Sequence, residues 1–223
     1  GDTIFVKSGT YDLAGFAPTI TKPLSIVGES KDTTILTHGG TLTISSKFAA
    51  KNLRFTHFPR TVLRPVVGEG QIIDGLVVEN CVFEKLHSAI ATPKTNKGTI
   101  TGVKITGCLF SDMKSTRATG IAISTGLISN VDISNNIFKN LVSTKKGCSA
   151  IIVGSNATRT TTKNVTIANN LMDTISGPST ETRGAGPEIH VVLVYGTNIK
   201  ILKNTVKNLP AGRDHEAIYM KAR

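Results

Sequence analysis

A repeat of roughly 30 residues is the feature of this sequence that most limits how the chain can fold. Each copy contains an alternating apolar segment, a polar pair that usually includes Asn, and a short apolar step, as in VDISNNIFKNL at 131–141. The same order recurs at 49–58, 77–86, 103–113, 165–175 and 199–209. The anchors that follow the polar pair are Phe55, Phe83, Phe110, Phe138, Met172 and Val206, separated by 28, 27, 28, 34 and 34 residues.

Each copy is too short to bury its own apolar face, whereas stacked copies bury one continuous core, as in a solenoid. The period-two alternation indicates strands, and no helical period is present. Parallel strands joined by crossovers are almost always right-handed. The sequence therefore predicts an all-β, single-stranded right-handed parallel β-helix of about seven coils, with three short strands per coil. One domain is expected over 1–223.

One position of the repeat is occupied by Asn136, Asn170 and Asn204, preceded in the same column by Cys81 and Cys108. A tight bend needs left-handed or bridge geometry, which Asn tolerates. We expect these amides to hydrogen-bond along the stack, although a plain surface turn is the alternative. The two cysteines should stack about 4.8 Å apart as small buried residues, with a disulfide left open. Cys148 is a predicted core residue.

Composition agrees with a narrow aliphatic core, since 39% of the residues are hydrophobic and none is Trp. The longest apolar runs are too short for a transmembrane helix. The opening GDTIFVKSGTYDL has no signal-peptide character. Both ends read as mid-coil segments, so we expect a fragment of a longer chain. A secreted or cell-surface location is expected, with any signal peptide outside this sequence.

The net charge is +11, from 26 basic and 15 acidic residues. Solubility is one explanation, and a polyanionic ligand attracted to a basic groove is the other. The sequence lacks the interleaved aromatic residues of proteins that bind single-stranded nucleic acid, and it contains no recognisable DNA-recognition helix. An acidic polysaccharide on a long solenoid surface is therefore favoured over nucleic acid.

The segment 213–221, RDHEAIYMK, places two acids, a His, a Tyr and a Lys on one predicted strand. Alternation puts Glu216, Ile218 and Met220 on one face, with Tyr219 and Lys221 on the other. We expect Ile218 and Met220 to face inward and Tyr219 and Lys221 to face solvent. One coil earlier, two residues are either neighbours of Glu216 or ordinary loop-edge residues: Glu188 and His190. The loop at 176–187 bears Arg183 and is long enough to wall a groove.

GDTIFVKSGTYDL, followed by TKPLSIVGES, resembles the start of pectate-lyase-like β-helices. The last coil, LKNTVKNLPAGRDHEAIYMKAR, is similar to the characteristic coil of the family-six polysaccharide lyases, the alginate lyases and chondroitinase B. Asn204, Asp214, Glu216 and Lys221 match that coil, and LRFTHF at 53–58 resembles an early segment of the family. Three positions depart from it, since Asp214 replaces a Glu, Ala217 an Ile and Ala222 a Ser. The family's catalytic Arg falls beyond Arg223.

The resemblance implies cleavage of alginate, dermatan or chondroitin, or pectate by β-elimination. Lys221 would be the catalytic base, and three carboxylates would help to bind calcium: Asp214, Glu216 and Glu188. Substrate-binding roles fall to Arg183, His190, Arg213, His215 and Tyr219. The alternative is a non-catalytic or hydrolytic solenoid that binds glycan, such as a phage tailspike segment or an adhesin. A tailspike-like chain is expected to be a trimer.

Overall fold

The computed structural model describes residues 1–145, 147–177, 189–210 and 215–222. Within these ranges the chain forms 23 strands, numbered β1 to β23 in chain order, and no helix. Every pairing between described strands is parallel, and each strand pairs with the strand one coil earlier or later. The described strands make eight coils, close to the number predicted. The predicted parallel β-helix is confirmed.

Each coil contributes one strand in turn to three faces, named sheets A, B and C. Sheet A contains β1 (Asp2–Val6), β4 (Leu24–Gly28), β7 (Phe48–Lys51), β10 (Ile72–Glu79), β13 (Thr99–Thr106), β16 (Leu127–Ser134) and β19 (Lys163–Ala168). Sheet B contains β2 (Gly9–Asp12), β5 (Thr34–Thr37), β8 (Arg54–Thr56), β11 (Val82–Glu84), β14 (Leu109–Ser115), β17 (Ile137–Ser143), β20 (Leu171–Ser176) and β22 (Thr205–Lys207).

Sheet C contains β3 (Thr19–Ile20), β6 (Leu42–Ile44), β9 (Thr61–Pro65), β12 (Ser88–Ala91), β15 (Thr119–Ile123), β18 (Ser149–Val153) and β23 (His215–Ala222). The long strand β21 (Ile189–Leu202) belongs to sheet C in its first half and to sheet A in its second. It passes through the corner without a loop, and so joins these two sheets into one set of hydrogen-bonded strands.

The predicted anchors form one continuous inner column. Consecutive anchors from Phe55 to Val206 are directly paired between coils. The rings of Phe55, Phe83, Phe110 and Phe138 stack, with centroids 5.0, 5.1 and 4.6 Å apart. Gly120 lies beside this stack, and a Cβ there would meet Phe138 at 2.7 Å. The repeat thus sets both the register and the packing of the core.

The predicted amide ladder is present, but the bend uses a different residue. Asn136 and Asn170 are 1% exposed, and the Nδ2 of Asn136 donates to the Oδ1 of Asn170 at 3.0 Å. The left-handed backbone conformation is found instead at the residue just before each ladder Asn, with φ of 56° at Asn135 and 55° at Asn169. The first residue of the pair turns the chain, and the second satisfies the buried backbone. The assignment of the bend to Asn136, Asn170 and Asn204 was therefore wrong by one residue.

A second left-handed column runs along sheet B, and sequence reading missed it. It lies just after the strand in the coils with short strands, and within the strand in β14, β17 and β20. Its residue types differ from coil to coil, so no single letter marks it. Its members are His38, His57, Lys85, Asp112, Asn140, Thr174 and Asn208, all with φ between 51° and 58°. The position follows the anchor by two residues in every one of these coils, and this spacing is the signal that sequence reading overlooked.

The three cysteines are free and buried, as Cys148 in particular was predicted to be. Cys81 and Cys108 stack in the amide column, where the Cys81 N–H donates to the Cys108 Sγ at 3.4 Å. They are therefore stacked thiols and not a disulfide. The parts of the chain that the structure describes contain no helical segment with the length and hydropathy needed to span a bilayer.

Candidate functional site

The C-terminal residues singled out from the sequence lie on β23, which pairs in parallel with the first half of β21. This register sets His190 opposite Glu216, Leu193 opposite Tyr219 and Tyr195 opposite Lys221. Residues 26 positions apart in sequence thus become neighbours one strand spacing apart on sheet C. We call His190, Tyr195, Glu216, Tyr219 and Lys221 the β21–β23 cluster.

Side-chain contacts hold this cluster together. The Nε2 of His190 lies 3.1 Å from the Oε2 of Glu216. The His190 ring also packs against Tyr219, with centroids 5.1 Å apart, and Tyr219 lies 6.1 Å from the ring of Tyr195. The His190 side chain is 14% exposed and that of Glu216 is 46% exposed, so the pair lies at the solvent boundary. Of the two interpretations left open for His190, the neighbour of Glu216 is confirmed.

The contacts also correct the expected faces of β23. Simple alternation puts Glu216 on the same side as Ile218 and opposite Tyr219. On the partner strand, however, Val191 and Val192 are both fully buried, which breaks the alternation. This break lets His190 and the residues opposite it join the outer face that carries Tyr219. Glu216 and Tyr219 consequently both border the His190 ring.

Two residues of β23 lie directly opposite buried residues of the neighbouring strand β21. Ile218 pairs with Val192 and Met220 pairs with Val194, and both valines are fully buried. The inward direction predicted for Ile218 and Met220 agrees with this register. Their exposures of 46% and 54% arise because β23 is the last strand of the described stack. Lys221 is exposed and Tyr219 is half-buried, in line with their predicted outward direction.

Several predicted site residues lie outside the described residues: Arg183, Glu188, Arg213 and Asp214. His215 is paired with Ile189 through its backbone, and its side chain is not described. Among the described residues, no group of three or more His, Cys, Asp and Glu side chains is arranged to hold a metal ion. Within the described ranges, Glu216 contacts an imidazole and not a second carboxylate. The described part of the cluster therefore does not fit the oxygen-rich ligand set that calcium prefers.

A polar column leads along sheet C toward the cluster. Thr61, Ser88, Thr119 and Ser149 are paired in register, one per coil. Cys148 pairs with Ile189, and Ile151 pairs with Val192. Ser149, the residue after Cys148, therefore lies opposite His190. His190 in turn pairs with Glu216, so the column continues into the cluster. The Oγ of Ser88 is buried without a hydrogen-bond partner in the described part of the chain. Only the coil register could reveal this column, because its residues are 26 to 41 positions apart.

A shallow cleft of about 260 Å³ lies on a different face, where the loop after β18 meets sheet A. Its lining includes Leu127, Ser129, Thr160, Thr161 and Lys163. The cleft is separate from the β21–β23 cluster, and none of the predicted site residues lines it.

The family model for the Domain of unknown function (DUF4957) matches residues 9–140. The chain belongs to the DUF4957 family. The match spans the coils from β2 to β17, which contain the Phe stack and the start of the amide ladder. The β21–β23 cluster follows the matched region. No curated protein and no solved structure matches the chain.

Proposed function

We propose that this DUF4957 protein binds an acidic, uronate-containing polysaccharide and cleaves it by β-elimination at the β21–β23 cluster. The main support is the pairing of β21 with β23, which gathers an imidazole, a carboxylate and two phenols beside Lys221. These groups exchange or bind protons, and all lie at the surface of a sheet long enough to contact several sugars. The similarity of the last coil to the family-six lyases agrees with this assignment.

In a β-elimination on a uronate, the base takes the proton from C5, and its electrons form the C4–C5 double bond. The C4–O4 bond breaks, and its electrons leave with O4, which takes up a proton. Lys221 is assigned the first step and acts only as a neutral amine. Tyr219 is assigned proton donation to O4. Cations near the sugar carboxylate would stabilise the charge that develops on it.

His190 and Glu216 are assigned a positioning role. The contact between the His190 Nε2 and the Glu216 carboxylate fixes the orientation of the imidazole ring at the edge of the cluster. The His190 ring packs on Tyr219, so the pair also restrains the phenol. A calcium contribution stays a prediction, because Glu188 and Asp214 lie outside the described residues, and no step above depends on it.

The test is cleavage of alginate, polygalacturonate and dermatan sulfate by the chain of residues 1–223, followed by the ultraviolet absorbance of the unsaturated product. We expect Lys221→Ala to lower the rate by about 10²–10⁴-fold, the usual contribution of a general base. Lys221→Arg should lower it similarly, since Arg keeps the charge and cannot give up its proton. Binding, measured by calorimetry, should change little in both variants.

Lys200→Ala is the matched control, because Lys200 is an exposed lysine on the sheet A half of β21. It should leave the cleavage rate unchanged. A wild-type chain that binds these glycans and yields no unsaturated product would rule out cleavage. That outcome would favour the alternative of a non-catalytic glycan-binding solenoid, and a trimer in solution would favour a tailspike-like one.

A further inference from the structure

Two histidines lie side by side on sheet B, in the second and third coils of the solenoid. Thr37 at the end of β5 pairs with Thr56 at the end of β8, and each threonine is followed directly by a histidine. His38 and His57 therefore lie one strand spacing apart, about 4.8 Å. Their ring centroids are 5.7 Å apart, and the ring planes are tilted by 35°. Both residues are exposed.

Equivalent contacts hold the two imidazoles in the same orientation. The Nδ1 of His38 lies 3.4 Å from the hydroxyl of Thr37, and the Nδ1 of His57 lies 3.0 Å from the hydroxyl of Thr56. Both backbones are left-handed, with φ of 51° and 58°, so the two side chains leave the chain in the same direction. The two Nε2 atoms therefore lie on the same side of the pair.

A carboxylate from the first coil also contacts His38. The Oδ2 of Asp12 lies 3.3 Å from the His38 Nδ1, and the Oδ1 of the same carboxylate accepts a hydrogen bond from the Ala14 N–H at 2.8 Å. Histidines that bind metal ions typically present one ring nitrogen to such an oxygen and bind the ion through the other. Among the described residues, no hydrogen bond or ion pair involves the Nε2 of His38 or of His57. Both Nε2 atoms are therefore open to a ligand.

The spacing suits a single metal ion held between the two rings. An ion bound tetrahedrally at about 2.0–2.1 Å from each nitrogen sets the two nitrogens roughly 3.3 Å apart. This separation is about 1.5 Å less than the strand spacing, and small rotations of two exposed side chains about χ1 and χ2 cover the difference. Imidazole nitrogens favour Zn²⁺, Cu²⁺ and Ni²⁺, whereas Ca²⁺ and Mg²⁺ favour oxygen ligands.

The arrangement describes an open site that spans two coils only. Lys85 follows His57 in the left-handed column of sheet B, and its exposed ammonium would repel a cation bound further along the stack. Two imidazoles are fewer than the three or four protein ligands of most zinc sites. Water or a donor atom of a ligand must therefore fill the remaining positions around the ion.

We propose that His38 and His57 together bind one divalent transition-metal ion of the Zn²⁺ class through their Nε2 atoms. Asp12 is a positioning residue in this site, because it contacts the ring nitrogen of His38 that faces away from the ion. The site is independent of the proposed cleavage, since it lies on sheet B in the second and third coils. The β21–β23 cluster lies on sheet C in the last described coils.

The test is calorimetric titration of Zn²⁺ into the chain of residues 1–223, at a pH above the ordinary pKa of histidine. Asn is the replacement, because it tolerates left-handed geometry, as Asn140 and Asn208 do in the same column. We expect His38→Asn or His57→Asn alone to weaken the tightest zinc binding at least tenfold. The double substitution should weaken it little further, because the loss of one imidazole already removes the chelate. Asp12→Asn should weaken it at least threefold, through the lost orientation of His38.

His87→Asn is the matched control, because His87 is an exposed histidine outside the pair. It should change the zinc affinity less than twofold, and Ca²⁺ should not bind at the concentrations that saturate the site with Zn²⁺. Two zinc ions per chain, one lost with each single substitution, would show separate histidines and overturn the proposal. Equal effects of His38→Asn and His87→Asn, or the absence of zinc binding, would overturn it as well.

Discussion

At the scale of single residues, one buried position per coil carries side-chain hydrogen bonds that repeat along the axis. Asn136 accepts from the Cys108 N–H at 3.0 Å and donates to the Ile105 carbonyl at 2.9 Å. One coil earlier, Cys108 makes longer versions of the same contacts, 3.4 Å from the Cys81 nitrogen and 3.6 Å from the Val78 carbonyl. A thiol can therefore replace the amide in this column.

This equivalence gives a prediction about Asn136. Asn136→Ala removes the partners of two buried backbone groups, and it should lower the free energy of unfolding by about 2–4 kcal/mol. Asn136→Cys retains a weak acceptor and a weak donor, so we expect roughly half that loss. Urea denaturation monitored by circular dichroism measures both. A Cys variant no more stable than the Ala variant would contradict the equivalence. Ser129→Ala serves as the control, because it removes only a side-chain hydrogen bond to Thr101 on the outer face.

At the scale of elements, charge pairs connect successive strands on the outer face of sheet A. The carboxylate of Glu79 on β10 forms ion pairs with Lys51 on β7 and Lys104 on β13. Hydrogen bonds from Lys104 and then Lys51 hold the pKa of the Glu79 carboxyl below its usual range, against the opposing effect of partial burial. The bridge thus links three coils through one carboxylate.

A lowered pKa in the folded state means that the charged carboxylate stabilises the fold. This contribution is present above the unfolded pKa of Glu, about 4.3, and is lost as the pH falls through the lower folded value. We expect Glu79→Gln to lower the free energy of unfolding at pH 7 by about 0.5–1 kcal/mol, as for other partly exposed ion pairs. The difference from wild type should disappear in acid. A difference independent of pH in denaturant titrations would contradict the assigned cause.

At the scale of the whole molecule, each coil packs mainly against its immediate neighbours, so stability depends on position in the stack. Coils in the middle pack on both sides, and the rings of Phe83 and Phe110 each stack against two others. β1 and β23, at the two ends of the described stack, pair with one strand each.

Native-state hydrogen exchange should follow this order. We expect the backbone amides of β13 and β16 to be the slowest to exchange and those of β1 and β23 the fastest, because terminal coils open without breaking two interfaces. Mass spectrometry of peptides after timed deuterium labelling measures this gradient. Uniform exchange across all coils would contradict the nearest-neighbour description and indicate a single cooperative unit.

Much of the fold was predictable because it depends on local repetition. The Phe anchors, the amide ladder and the stacked thiols all follow from aligning copies of one pattern. The bend was placed one residue late because Asn135 and Asn136 are alike in sequence, and only backbone geometry separates the turning residue from the buried one. The left-handed column in sheet B was missed because its residue types vary.

The sequence by itself determined a parallel stack of coils, since each repeat is too short to bury its own apolar residues and must bury them against its neighbours. It also indicated the residues of β23 as candidates for chemistry. Only the tertiary structure decided that His190 meets Glu216 and Tyr219. The reason is that this grouping depends on the register between coils, which loop lengths and a local break in alternation set together.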